Sequence, residues 1–176
     1  MANRQTDKVL FFGDAVTAVR TSAEGGLYPL GTKREEEGAT YRYVQVDSGA
    51  TAVVVDQLLF RAGSGSGPWV VTKTVANTAP NLSCGAAVAV IAASGYGWMK
   101  SKGRVSAMVT AAAGTLVKGD IAIEELATTG KVREQIVATA DTAVAVLVQT
   151  KLIIHPVGVC LADEAANLVD IFIDFE

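Results

Sequence analysis

The side chains with the most chemical capacity are few and far apart. His155 is the only histidine. It follows Ile153-Ile154 and precedes Pro156, at the end of a predicted strand. A Ser-His-Asp triad would need a nucleophile beside it, and the chain has no Gly-x-Ser-x-Gly elbow to present one. His155 therefore reads as a structural residue at a turn. Gly63-Ser64-Gly65-Ser66-Gly67 has the glycine density of a phosphate loop. A dinucleotide fingerprint opens a helix, however, whereas Pro68-Trp69-Val70-Val71 opens a strand. The Gly-Lys-Ser/Thr of a P-loop is also absent.

Cys84 and Cys160 are the two cysteines. Neither lies in a Cys-x-x-Cys or Cys/His cluster, so metal ligation has no support. Both sit beside apolar strands and are expected to be buried, reduced thiols. Asp163-Glu164, Asp170 and Asp174 are carboxylates near the C-terminus. A glycosidase pair would need two of them facing each other at a defined separation, but Asp163-Glu164 falls in a predicted turn, where acids are ordinary. Asp170, Phe172 and Asp174 share one face if the chain is extended from Leu168. Asn81-Leu82-Ser83 matches a glycosylation sequon without a secretory context. Gly95-Tyr96-Gly97-Trp98-Met99 places two aromatics in a glycine-bounded hairpin, either a sugar-stacking platform or a plug for a barrel or a subunit seam. No residue is assigned to catalysis, a cofactor or a metal, and the chain is not expected to be an enzyme.

The elements that carry these residues follow from composition. The chain has 176 residues and a net charge of −3, and half of the residues are hydrophobic, which excludes general disorder. The longest apolar run is Ala86–Ala93, far short of the roughly 20 residues of a spanning helix, and the first residues lack a secretory h-region. An acidic balance without a basic block disfavours nucleic acid as a partner. Gly, Ala and Val make up 69 residues, while aromatics are only 6%. In Ala87-Val88-Ala89-Val90 and Ala143-Val144-Ala145-Val146 the bulk changes at every second residue, the period of a strand with a thin and a thick face. The expected fold is all-β, a compact barrel or sandwich-like domain over residues 39–176, preceded by an extended N-terminal arm over 1–38.

Within the arm, Asp14–Arg20 is expected to make a short helical turn capped by Asp14. Gly25-Gly26-Leu27-Tyr28-Pro29-Leu30-Gly31 cannot propagate a helix, and Lys33–Gly38 reads as a solvated charged loop. Such an arm cannot build a core alone. Phe11, Phe12, Tyr28 and Leu30 must dock on its own domain or on a neighbour. Strands are expected at 40–46, 53–60 (a strand pair or a bent strand, with Asp56 near the bend), 69–75, 85–93, 96–102, 105–110, 121–125, 131–139, 143–154, 157–161 and 168–175. Many short strands between turn signals indicate a barrel or sandwich. There is also an internal echo. Ala52–Leu59 resembles Leu116–Ile123 at an offset of 64, and each is followed by a strand, a small polar turn and another strand. This implies two similar β-units around one core.

Several motifs in order resemble the head decoration (capsid cement) proteins of tailed bacteriophages. These are Pro29-Leu30-Gly31-Thr32, Gly38-Ala39-Thr40-Tyr41-Arg42-Tyr43-Val44, the Val53-x-x-Asp56-x-Leu58 element, and Gly95-Tyr96-Gly97-Trp98-Met99-Lys100-Ser101-Lys102-Gly103. Ala113-Gly114-Thr115-Leu116-Val117-Lys118-Gly119-Asp120 follows, and Pro156–Leu161 then leads to Leu168–Ile173. The resemblance covers residues 29–60 and 84–176. It departs at Val55, where the pattern has Gly, and at the Gly/Ser loop with Trp69–Asn77, which looks like an insertion. It implies a virion protein on the outer surface of the capsid, made in the host cytoplasm. Such a protein is commonly a homotrimer that clamps neighbouring major capsid protein subunits, with no cofactor, small-molecule substrate, nucleic acid or membrane partner. On that reading the capsid contacts are Phe11, Phe12, Leu27, Tyr28, Pro29, Leu30, Lys33 and Arg34. The alternative is a head-fibre base or virion-surface adhesin that binds host glycans through Tyr96, Trp98 or Trp69.

Overall fold

A computed structural model describes residues 14–62, 67–74, 83–110, 116–124, 130–134 and 156–175. Among them there are ten strands and no helix: β1 (Lys33–Glu36), β2 (Ala39–Val46), β3 (Leu58–Arg61), β4 (Val70–Thr72), β5 (Ser83–Ala87), β6 (Tyr96–Val109), β7 (Ile121–Glu124), β8 (Val132–Glu134), β9 (Pro156–Cys160) and β10 (Leu168–Asp174). The fold is all-β, as expected, although of the two alternating segments Ala87–Val90 leaves its strand after Ala87 and residues 143–146 lie outside the described residues.

Five of these strands close a barrel. β2 pairs in parallel with β4, β4 antiparallel with β3, β3 with β5 and β5 with β6; β6 returns to β2, from Thr40↔Lys102 to Gln45↔Tyr96. Alternation sorts the side chains. Val44, Val46, Leu59, Val71, Cys84, Ala87 and Met99 point inward, joined by Val53 and Ile91. Their neighbours Tyr43 and Trp98 point outward from the same strands. Each fully buried aliphatic side chain contributes about 1.5–3 kcal/mol relative to exposure, so this interior is the barrel's main source of stability.

Beyond Gly103, β6 enters a second set of strands. β10 pairs with it from Leu168↔Val109 to Asp174↔Lys102, β9 pairs with β10, β7 with β9 and β8 with β7. A parallel bridge between Thr110 and Val132 then brings β8 back to the end of β6. This is the connectivity of the first barrel: one parallel contact and four antiparallel ones in the same order. β6 therefore serves twice. Its first half closes barrel one, and its second half plays for barrel two the part that β2 plays for barrel one. Gly103 marks the change, with φ +121 and a Cβ position that would lie 2.9 Å from Ala39 Cβ.

The equivalence extends to individual hydrogen bonds. Gln57 N donates to Val54 O (3.3 Å), as Asp120 N does to Val117 O (3.1 Å). Val54 N donates to Gln57 Oε1 (3.1 Å), as Val117 N does to Asp120 Oδ2 (2.9 Å). Asp56 N donates to Ala87 O and Gly119 N to Cys160 O, at 2.8 and 2.9 Å. Asp56 (φ 59) and Gly119 (φ 97) hold the same left-handed position in the two turns. The echo in the sequence is thus a repeat in the fold, offset by 63 at these turns (117 − 54, 120 − 57) rather than 64. Residue type misled by one place, because the aspartate that seems to match Asp56 is Asp120, whereas the backbone equivalent is Gly119. The two units also have separate cores. The second gathers Val105, Met108, Leu116, Ala122, Val132, Val157, Cys160, Val169, Ile171 and Ile173, and it also takes in Leu58, Phe60 and Ala86 from barrel one.

Four other expectations are corrected. Asp14–Arg20 is not helical. Ala18 N bonds Ala15 O in a turn, and Arg20 forms a bridge with Tyr96, so the strand edge offers its backbone better partners than an isolated helical turn would. Lys33–Glu36 is strand β1, not a loop, and pairs with β2 from Lys33↔Arg42 to Glu36↔Ala39. Its four charged side chains suit an edge strand, where charge deters further pairing. The strand expected over 85–93 ends at Ala87, because Val88–Val90 bulge past the Val54–Gln57 turn before Ile91 bridges Val53. The two strands expected at 96–102 and 105–110 are one, since Gly103 bends β6 without ending it. The strand expected over 143–154 lies outside the described residues.

Candidate functional site

Residues 14–36 run over the outer face of barrel one. Tyr28 is the fixed point. Its ring meets Tyr43 edge-on at 5.3 Å and Trp98 at 5.4 Å, and Tyr43 and Trp98 meet each other at 5.1 Å. Aromatic pairs in these tilted geometries add about 0.5–1.5 kcal/mol each beyond burial. The backbone follows the same anchor. Leu27 N donates to the Tyr43 hydroxyl (3.2 Å), Gly31 N to Tyr43 O (2.7 Å) and Tyr43 N to Thr32 O (3.0 Å). Burial raises the Tyr43 phenol above its ordinary value, against the opposing bond from Leu27, so it stays neutral and holds that bond at physiological pH.

Around this anchor the candidate contact residues divide into two groups. Leu27, Pro29 and Leu30 are exposed, the two leucines at 46% and 36%, and form a short apolar ridge on either side of the inward-turned Tyr28. Lys33 is exposed and pairs with Glu35 at 2.9 Å. Arg34 is committed to the fold: it donates to Asp14 O at 2.5 Å and pairs with Glu36 at 2.8 Å. Phe11 and Phe12 lie outside the described residues. The ridge is therefore Leu27-x-Pro29-Leu30, with Lys33 beside it, while Tyr28 and Arg34 position it.

Sequence reasoning missed the residues beneath the ridge. Trp98 is only 1% exposed, so it is the floor under Tyr28 rather than a sugar platform, and a glycan reading loses its best indole. Trp69 is half-buried against the barrel core, with the guanidinium carbons of Arg42 and Arg61 at 5.2 and 5.6 Å from its ring centre. Arg42 also reaches Gly31 O at 3.3 Å. The available signal was alternation: Tyr41 and Tyr43 on one strand and Tyr96 and Trp98 on another make a single aromatic face once β2 and β6 pair.

The groups considered for chemistry are dispersed. Cys84 sits in the first barrel and Cys160 in the second, both free and buried. Burial pushes their thiols up to about 12 and about 11, which keeps them protonated and unreactive. Asp170 is paired with Arg104 through two bonds and Asp174 with Lys102 at 2.6 Å. Asp163 accepts from Lys118 N, and Glu164 from Thr110 Oγ1 and Leu116 N. These carboxylates hold strands and turns together. His155, the sequon Asn81 and Gly63–Ser66 lie outside the described residues. No group of three or more acidic, His or Cys side chains is placed to hold a metal ion among the described residues. No protein-family model matches the chain, and neither a curated protein nor a solved structure matches it.

Proposed function

We propose that this protein is a structural component of a tailed-phage virion, a homotrimer that binds the outside of the head and stiffens it by clamping neighbouring major capsid protein subunits. The observation that carries the reading is the Leu27–Leu30 ridge, whose apolar side chains are exposed although their backbone is pinned to an aromatic anchor. Pinning removes most of the ordering cost that a loose arm would incur on binding. The order of motifs from Pro29 to Ile173 supports the same reading. Three ridges on one trimer would act together, and avidity of that kind exceeds single-site affinity by about 10²–10⁴. Lys33 and the neighbouring acids of β1 would set register against complementary charge.

The test is co-sedimentation with undecorated, expanded capsids, followed by thermal disruption of the shells. The wild-type protein is expected to bind saturably and to raise the disruption temperature. Leu27→Ser with Leu30→Ser should weaken binding by at least about tenfold, which corresponds to roughly 1.4 kcal/mol, with the folded state intact. Full occupancy with no change in shell stability would sink the proposal.

A further inference from the structure

Gly31, which follows Leu30 at the end of the ridge, lies against the indole of Trp69. A Cβ added there would fall 2.1 Å from the indole Nε1, so backbone and ring are in direct contact and the ridge runs on into the tryptophan. Trp69 packs against the core of barrel one, and the guanidiniums of Arg42 and Arg61 lie over its ring. The two arginines come from different strands. Arg42 on β2 is also tied to Gly31 O. Arg61 ends β3, is exposed, and pairs with no carboxylate among the described residues. Lys33, itself paired with Glu35, is the cross-strand partner of Arg42. Like charges directly opposite on neighbouring strands are unfavourable by themselves, yet the fold gathers these cations beside one indole in a chain whose net charge is −3.

We propose that Arg61 and Arg42, stacked on Trp69, form a receptor for a carboxylate of the partner protein, an acidic side chain that seats there while the Leu27–Leu30 ridge docks beside it. A guanidinium presents planar, forked donors that match a carboxylate with two hydrogen bonds. Cation–π attraction to the indole fixes where the guanidiniums sit before the partner arrives, and the Gly31 contact fixes the indole. Little side-chain freedom is then left to lose on binding. Two observations select a protein carboxylate over an acidic sugar. The indole on which a sugar ring would stack already carries Arg42, Arg61 and Gly31. The cations are also continuous with an apolar ridge, and an apolar centre with a charged rim is the anatomy of a protein–protein contact. The inference rests on the reading that the ridge docks on a capsid protein, and it names the chemistry of the surface that the ridge meets.

Two measurements on the full-length protein test it: co-sedimentation with undecorated, expanded capsids, and fluorescence anisotropy of a fluorescein-labelled peptide of alternating glutamate and leucine. The wild-type protein is expected to bind both saturably. Its capsid affinity should fall at least about tenfold when salt rises from about 0.05 to about 0.5 M. Arg61→Glu should weaken both interactions by at least about tenfold and flatten the salt dependence, with far-UV circular dichroism unchanged because the side chain is exposed. If that variant fails to fold, Arg61→Gln should give a smaller loss in the same direction. Leu27→Ser with Leu30→Ser should weaken capsid binding but leave its salt dependence in place. Lys118→Glu, at an exposed cation of barrel two, should bind as wild type. A wild-type protein that binds the peptide through Arg61 but not capsids removes the capsid reading and leaves the carboxylate receptor standing. A folded Arg61 variant that binds capsids like wild type overturns the proposal. So does a wild-type protein that binds neither capsids nor peptide, or one that binds sialyllactose in place of the peptide.

Discussion

Among the described carboxylates, Glu124 is the one whose charge the fold disfavours most strongly. It lies at the buried end of β7, and one carboxylate oxygen has no hydrogen-bond partner. Burial pushes its carboxyl up from 4.5 to about 7, against the opposing influence of Ser83. The folded protein thus holds a proton that the unfolded chain releases at lower pH. Stability associated with this group is present in full below about 4.5 and is lost as pH rises toward 7. Thermal melts should give a higher Tm at pH 5 than at pH 8 from this residue. Glu124→Gln should flatten that slope and raise Tm at pH 8, and an unchanged slope would mean that the carboxyl is solvated. Nothing in the sequence signals this site. The equivalent position of barrel one is Arg61, which is exposed, so neither pattern nor repeat marks Glu124 as buried. Tyr28 was legible as an anchor because an aromatic beside Gly and Pro must dock somewhere, whereas its floor, Trp98, became visible only once β2 and β6 paired.

At the scale of elements, periodicity told most of the story. The strands β2, β3, β4, β7, β9 and β10 all overlap segments expected to be strands from alternation or apolar runs. What periodicity does not carry is the behaviour of glycine. Gly103 reads locally as the end of a strand, yet its neighbours on both sides keep their ladders, to β2 before it and to β10 along it. Its left-handed φ lets β6 leave one barrel and enter the next. Gly103→Ala places a Cβ against Ala39 in a conformation that costs about 1–3 kcal/mol. Denaturant melts should show at least that loss, whereas Gly38→Ala tests only the dihedral cost, because no atom lies within 4 Å of its added Cβ. β1 was misread for the opposite reason. Four consecutive charged residues suggest solvent, but only Lys33 and Glu35 are exposed, Arg34 and Glu36 are half-buried, and β2 satisfies the backbone on one side.

For the whole molecule, the sequence repeat was faint because equivalent positions have opposite neighbours. Leu58 and its cross-strand partner Ala86 fit inside the core of barrel two, while Ile121 and Val159, the equivalent pair, are exposed. The hydrogen bonds of the two turns nevertheless superpose, because the backbone bonds do not depend on side-chain type and Gln57 and Asp120 both carry a side-chain oxygen that accepts from the backbone.

The shared strand also has a mechanical consequence. At about 3.3 Å per residue, the 14 residues of β6 run along both barrels as one continuous backbone, so no flexible linker separates them. A load applied to barrel one reaches barrel two through covalent bonds and a ladder of hydrogen bonds pulled along their strands. A protein built this way is a stiff spar rather than two beads on a thread, and neither half can yield without straining the other.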